Sequence, residues 1–596
     1  MKEKQKCLRI TNLILSFVVV AGMFALYRLF TDFIYLTNDD MYLQSIVSGE
    51  LSGTPDAHMI YSNYILGIVL SFLYNYTARV PWYGIYLLSV CFLCAWIILY
   101  RCVSICKKWA NRIVVVCLFV AICFCSVFRH ITMMQYTVVA AFAGGTAVFY
   151  AMTMDMRAGK KQLMREYAVV LFLAFLSLVI REKVFFMMVP FAALGWFGKW
   201  IAERDKSKAN IIRYISLLIS IVCLMLVVGG IDRFAYRIGN DGEAWQEYKR
   251  YNKAREQIMD YNSYPDYDSN QEFYEELGIS KASYEGVSKY YLLLPQKNYN
   301  GETMPIIAEK AIAIGKASYT LSERLTNVVK NFIECNLNYS DRPMNIVVYA
   351  TWLCMIVLLV LSKNKNILCQ LALLFIARMG MWLYIIYQGR YPDRITQGLY
   401  FVELLMLVAI FVLNRNVLDD KVFIKKGFLI GALVIICVPS LYVGINKAIA
   451  VKGENAGKLY FGTSYQQVKD YCADNTNNIY LMDMNSASFF TSSIFKSVEG
   501  EKGICNNLLP LGSWPCKSPL LTDNLKRYGV QDITTDLVDN ECVYFIFKDS
   551  EVTPTQYLID FYSDELENVN LELKQENILR TDAGIDYIFY QLKRIQ

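Results

Sequence analysis

Two adjacent carboxylates, Asp39 and Asp40, follow the first long apolar run of the chain, in 37-TNDDMYLQSIVSGE-50. Charge so close to hydrocarbon is costly and needs a partner or a task. The simplest task is to cap a helix starting at Met41, which Asp does well. A second task is chemical. A carboxylate that takes a proton, beside cations that hold a phosphate, is what glycosyl transfer from a lipid phosphate requires. The acceptor hydroxyl is a weak nucleophile that a base assists, and the leaving phosphate gathers negative charge that Arg or Lys stabilises. The cations on offer are Arg129 and His130 in 128-FRHITMMQ-135, Arg181 and Lys183 in 180-IREKVF-185, and Arg390 and Arg394 in 388-QGRYPDR-394, with Asp56 as a further carboxylate. Such cations also serve as plain headgroup anchors at helix ends. The QGRYPDR turn is the favoured phosphate cradle, because Pro392 stiffens it and two nearby arginines can share an oxyanion.

The elements that must position these residues are membrane helices. The chain has 596 residues, 55% of them hydrophobic, and a mean hydropathy of +0.30, which reads as a polytopic membrane protein. The net charge of +6 sits in short clusters between apolar runs and gives no nucleic-acid signature. With two histidines, and 17 cysteines largely inside apolar runs, no zinc site is expected. The first 30 residues show no small-residue cleavage site, so a retained span is expected there.

Topology turns on 58-HMIYSNYILGIVLSFLYNY-76. Laid on the outer surface as an amphipathic segment, it makes 82-WYGIYLLSVCFLCAWIILYR-101 the second span. The basic clusters at 106–112, 155–165, 203–213, 363–366 and 415–426 then all fall inside. The expected fold is a polytopic all-α membrane bundle of about eleven transmembrane helices, N-terminus in and C-terminus out, with a C-terminal extracytoplasmic α/β domain. The transmembrane domain covers 1–445, with outer loops at 31–81 and 231–345, and the outer domain covers 446–596.

In that outer domain Thr463 with Gln466 is expected to cap a helix running through Cys472. The runs 479-IYLMDM-484, 542-CVYFIF-547 and 585-IDYIFYQL-592 read as strands, and Thr553, Pro554 and Gln556 as a helix start. No Gly-rich phosphate loop or GxSxG accompanies them, so the domain is assigned no chemistry. In the long loop, 243–261 reads as a helix and 270–280 as a second one ending on a glycine. Tyr261, Tyr264 and Tyr267 between them either stack on sugars or pack helices.

Two charges fall inside spans, Arg378 and Glu403. Counted from the apolar boundaries, they lie at depths of roughly 15 and 7 Å, which argues against a simple pair. A structural pair or a polar pocket for a lipid phosphate are the two readings.

This pattern resembles the C-type (GT-C) membrane glycosyltransferases. NDD at 38–40 resembles their acidic motif, 41-MYLQSIVSGE-50 and 58–76 their two surface helices, and 79-RVPWYGIYLL-88 the start of their second span. The resemblance covers about the first hundred residues; a WWD-like acceptor motif is absent. It implies an inverting transfer from a polyprenyl-phosphate sugar to an extracytoplasmic glycan or lipid-linked acceptor, at the outer face of a bacterial plasma membrane. Asp40 and Asp39 become the catalytic residues, and Arg390, Arg394, Arg181, Arg129 and His130 the donor-phosphate set. Some members use a divalent cation such as Mg or Mn, for which Asp39 and Asp40 are the ligands to hand. The alternatives are a lipid-linked glycan polymerase or ligase, a glycolipid transporter or flippase, and a non-catalytic wall-assembly scaffold. Reporter fusions or cysteine labelling at Ser62 and Lys108 test the topology: position 62 is expected outside, and labelling of position 108 from outside overturns the scheme.

Overall fold

The computed structural model describes residues 2–595 except 107, 204, 239–240, 295–296, 319, 339, 422–425, 488–490, 550–554 and 568; side chains are described outside 2–6, 416–437 and 440. The expected helix start at Thr553 and Pro554 lies outside the described residues.

The chain is mostly helical. The membrane-proximal part runs α1 (Lys2–Phe30), β1 (Ile34–Tyr35), α2 (Asn38–Ser48), α3 (Tyr64–Tyr76), α4 (Trp82–Ile105), α5 (Trp109–Ile122), α6 (Phe128–Thr132), β2 (Met133–Met134), α7 (Tyr136–Thr153), α8 (Lys160–Ile180), α9 (Glu182–Ala202) and α10 (Lys208–Ala235). The long loop folds into α11 (Gly242–Met259), α12 (Gln271–Glu276), α13 (Lys281–Ser288), α14 (Thr303–Ala317) and α15 (Leu321–Leu337). Then come α16 (Met344–Ser362), α17 (Lys365–Tyr387), α18 (Asp393–Lys421) and α19 (Lys426–Asp474). The C-terminal part adds β3 (Ile479–Met482), α20 (Met484–Ala487), β4 (Leu508–Pro510), α21 (Pro519–Arg527), β5 (Val543–Lys548), α22 (Thr555–Glu565), β6 (Leu571–Arg580) and β7 (Asp586–Arg594).

Among the described residues ten helical stretches are long and apolar enough to cross a membrane, from Cys7–Phe30 to Asp393–Arg415. They include every span expected up to residue 415. The eleventh, expected at 427–445, falls at the start of α19, where side chains are described only in part. Helix α3 has 13 residues, about 20 Å, too short to span. It starts at Asn63, whose side chain accepts from the Ile65 N–H, and Gly67 lies against the Ala57 carbonyl, where a Cβ has no room.

The C-terminal domain is α/β, in the sheet order β4-β3-β5-β7-β6. Strands β3, β4 and β5 are parallel, while β6 and β7 close the sheet antiparallel. The strands expected at 479, 542 and 585 are all present; β4 and β6 are additions. One expectation is corrected. Thr463 caps nothing: it lies inside the 49-residue α19, donating its hydroxyl to the Tyr460 carbonyl at 2.6 Å. The helix does not restart after the last span because it never stops.

The C-terminal domain is clasped to the bundle. Ile494 N–H donates to the Phe33 carbonyl at 2.9 Å, and Thr491 Oγ1 donates to the Tyr35 carbonyl at 2.7 Å. Gly84 lets this segment approach α4, since a Cβ there meets the Ile494 carbonyl at 2.4 Å.

Arg378 and Glu403 do form an ion pair. The sequence-based depths mislead because α18 begins at Asp393, well before its apolar run. Glu403 is ten residues into α18 and Arg378 nine from the end of α17, so both lie about 14–15 Å deep. Arg378 also binds Asn336 and Tyr349, and Trp352 Nε1 donates to Glu403. Its donors are spent inside the bundle, which favours the structural reading over a lipid-phosphate pocket. Removing one partner strands a buried charge. Glu403→Leu is expected to destabilise by about 3–5 kcal/mol, and the Arg378→Met/Glu403→Leu double variant to recover at least about half of it, read by thermal unfolding in detergent.

Candidate active site around Asp40

Strand β1 pairs in parallel with β2, Ile34 beside Met133 and Tyr35 beside Met134, and this brings α2 up to the start of α7. Helix α2 begins at Asn38, with Thr37 as its cap residue, making no side-chain cap bond. The aspartates therefore do not cap a helix at Met41. They lie inside the first turn, where the positive helix end favours them anyway.

Asp40 is fully buried. Its Oδ1 accepts from the Tyr83 hydroxyl at 2.9 Å and from the Tyr136 N–H, the first of α7, at 3.0 Å. Its Oδ2 makes no hydrogen bond among the described residues. Burial, with Asp39 alongside, pushes the Asp40 carboxyl up to about 8 against the opposing pull of Tyr83, Tyr136 and Arg394. An acid poised there can take or give a proton near neutral pH.

Asp39 is half-buried and accepts from Trp514 Nε1 at 3.1 Å. Trp514 meets the rings of Tyr42 and Tyr61 edge-on, at 5.7 and 4.8 Å. The Arg181 guanidinium lies over Tyr61 at 4.7 Å and Tyr136 at 5.2 Å and donates to the Tyr61 carbonyl at 3.2 Å. Burial lowers its proton affinity, but Tyr136, Tyr61, Glu256 and Asp39 more than compensate, so it stays charged. From α11, Arg255 donates to the Tyr61 hydroxyl at 3.0 Å.

The cations from the sequence divide into three groups. Arg181 and Arg394 are near enough to be felt electrostatically, Arg181 by Asp39 and Arg394 by Asp40. Arg390 instead forms an ion pair with Asp260 at the end of α11, and Lys183 one with Glu256. Of the two QGRYPDR arginines, Arg390 is thus already paired within the protein. Arg129 and His130 lie elsewhere, lining a recess of about 10 Å³, room for about one water, with Ser340, Arg342, Gln397 and Lys447. A π-helical turn at Cys123–Val127 shifts the register just before them. Arg129 is 3.8 Å from Glu454, and His130 Nδ1 makes no hydrogen bond among the described residues.

The chain that lines this recess also contributes to a second feature. An apolar cavity of about 380 Å³ between α1, α4, α5, α16 and α18 is lined by Val127, Ile131, Met355 and Phe401, among others. Val127 and Ile131 flank Phe128–His130 in sequence, and Phe401 is one turn below Gln397 on α18. Asp341 lies at the same level, fully buried. Its Oδ1 accepts from Thr396 at 2.7 Å and Gln397 at 2.9 Å, and its Oδ2 makes no hydrogen bond among the described residues. Burial, with Asp393 nearby, raises it to about 6.

Sequence reasoning missed Asp341, Arg342, Lys447, Tyr83, Tyr136 and Trp514, because only folding brings them to the site. Asp56 is also apart from it, bonded to His58 at 2.8 Å. A resident divalent cation does not fit: among the described residues no three His, Cys, Asp or Glu side chains gather as ligands, and Asp39 and Asp40 take different partners. Neither a family model nor a curated protein matches this chain.

The proton on Asp40 has a consequence for stability. The folded chain keeps it up to about pH 8, whereas an unfolded Asp loses it near pH 4. Its contribution is therefore full below about pH 4 and is lost as pH rises to about 8. Asp40→Asn cannot titrate. Its melting temperature is expected to fall by less than wild type between pH 5 and pH 8, and parallel curves overturn the assignment.

Proposed function

We propose that the protein is a membrane glycosyltransferase that moves a sugar from a polyprenyl-phosphate donor to an extracytoplasmic glycan or lipid-linked acceptor. The observation that carries this reading is a buried carboxylate with an unspent oxygen, Asp40, in a bundle that also holds an apolar cavity of about 380 Å³ and, around one recess, the cations Arg129, His130, Arg342 and Lys447, the first two next in sequence to residues lining that cavity. A lipid phosphate has those two parts, a long apolar chain and an anionic head.

In this reading the isoprenoid occupies the apolar cavity and its phosphate meets Arg129, His130, Arg342 and Lys447, with Arg394 reaching from the Asp40 side. The acceptor hydroxyl attacks the anomeric carbon from the face opposite the phosphate. The carbon–oxygen bond to phosphate breaks, its electron pair stays on the phosphate, and the hydroxyl proton passes to Asp40 in its ionised form, the form that gains population as pH rises towards about 8. Asp39, held by Trp514, orients the acceptor. The stereochemistry inverts. The orientation with N-terminus inside and the Asp40 end outside, in a bacterial plasma membrane, belongs to the same proposal. It is supported by the basic clusters, which share one side.

The test uses purified full-length protein in nanodiscs with a labelled polyprenyl-phosphate sugar and a panel of glycan acceptors. Released polyprenyl phosphate and glycosylated product are measured together, which separates transfer from transport. Asp40→Asn is expected to bind donor normally and lose about 10²–10⁴-fold in turnover. Arg129→Gln and Arg342→Gln are expected to weaken donor binding. Wild-type turnover in all three, or no product from folded wild type with any donor, overturns the proposal.

A further inference from the structure

Helix α15 lies outside the membrane-length helices, yet one of its flanks has the surface of a lipid-facing element. Thr320 and Glu323 close a capping box at its start, so the helix is fixed locally. Leu321, Leu325, Val329, Ile333 and Leu337 recur every fourth residue and are 72, 55, 58, 54 and 66% exposed. Five large apolar side chains in water on one helix flank are unusual for a surface helix of a soluble protein.

At about 100° per residue the helix has three arcs. Val328, Phe332, Cys335 and Asn336 form the arc that meets the protein. Glu323, Asn327, Lys330 and Glu334 form the polar arc. Val329, Ile333 and Leu337 fill the arc between, while Leu321 and Leu325 point along the protein-facing arc at the helix start yet stay exposed, so the apolar side is wider than the protein contact needs.

The neighbouring surface says what covers it. Phe332 meets Trp382 of α17 edge-on at 6.5 Å, and Asn336 binds Arg378 on the same helix. Beyond Trp382, α17 presents Leu383, Tyr384 and Tyr387, all exposed, at the end of a membrane-length helix. Tyrosines at that position belong to the membrane–water boundary. The apolar flank of α15 continues this belt sideways. The four charges of the helix, Glu323, Arg324, Lys330 and Glu334, cancel, so nothing on it selects a charged partner. Phe332 meets α17 five residues from its end and Asn336 nine residues from it, about 7 and 14 Å down, so α15, 17 residues and about 25 Å long, descends along α17 into the leaflet without crossing it.

We infer that α15 is a lipid-facing helix that dips into the leaflet on the Asp40 side alongside α17, its Leu321–Leu337 flank set among acyl chains. The inner arc then ties the buried Arg378–Glu403 pair to a helix that rests on lipid. This holds whether or not the protein transfers a sugar.

Hydroxyl-radical footprinting of the wild-type chain in phosphatidylcholine nanodiscs tests it without a variant. Ile578 of β6, 43% exposed, is the internal reference. Leu325, Val329 and Ile333 are expected to oxidise at least about tenfold more slowly than Ile578. A fluorophore carried by an encoded residue at 329 is expected to be quenched by doxyl-labelled acyl chains, and one at 327 by aqueous iodide. Oxidation of the flank at the rate of Ile578, or iodide quenching alike at both positions, overturns the inference. Protection without doxyl quenching also overturns it, since a protein partner then covers the flank.

Discussion

A carboxyl group with no access to water stands where three elements meet. Asp40 reaches from α2, Tyr83 from α4, and the first N–H of α7 completes its environment. Burying such a group without hydrogen bonds is prohibitive, so the three elements have to arrive together. The short parallel pairing of β1 with β2 makes the meeting possible, because it fixes the chain before α2 against the chain before α7. Everything placed from α7 onward, including Arg181 stacked on Tyr136, is registered to that point.

The helical bundle was readable because its signal is local: runs of apolar residues of span length, punctuated by basic clusters. The short α3 was readable for the same reason, since only one choice puts all the clusters together. The limits of α18 were not, because its first turns, from Asp393 to Gly398, are polar and read as a loop. That single shift in where the helix starts reversed the argument about Arg378 and Glu403. Strand β6 escaped notice because its sequence, LELKQENILR, is mostly polar and exposed. Its partner β7, buried along most of its length, announced itself.

The site was legible only in part. Asp39 and Asp40 stood out as charges in an unsuitable place, and Arg129, Arg181 and Arg394 as cations near outer turns. Their grouping was not legible, because it depends on contacts hundreds of residues apart, such as Trp514 with Asp39. Asp341 was hidden in a polar loop where a carboxylate attracts no notice; only its burial against Thr396 and Gln397 distinguishes it.

Helix α19 carries 49 residues from the bundle into the C-terminal domain with no intervening loop, a rod of about 73 Å. A flexible linker would let the α/β domain swing like a door over the site. A rod makes it a fixed gantry instead, standing at one height above the bilayer. The distance from bundle to sheet is then set by the helix itself, and adding or removing one residue of it would also turn the sheet by about 100° about the helix axis.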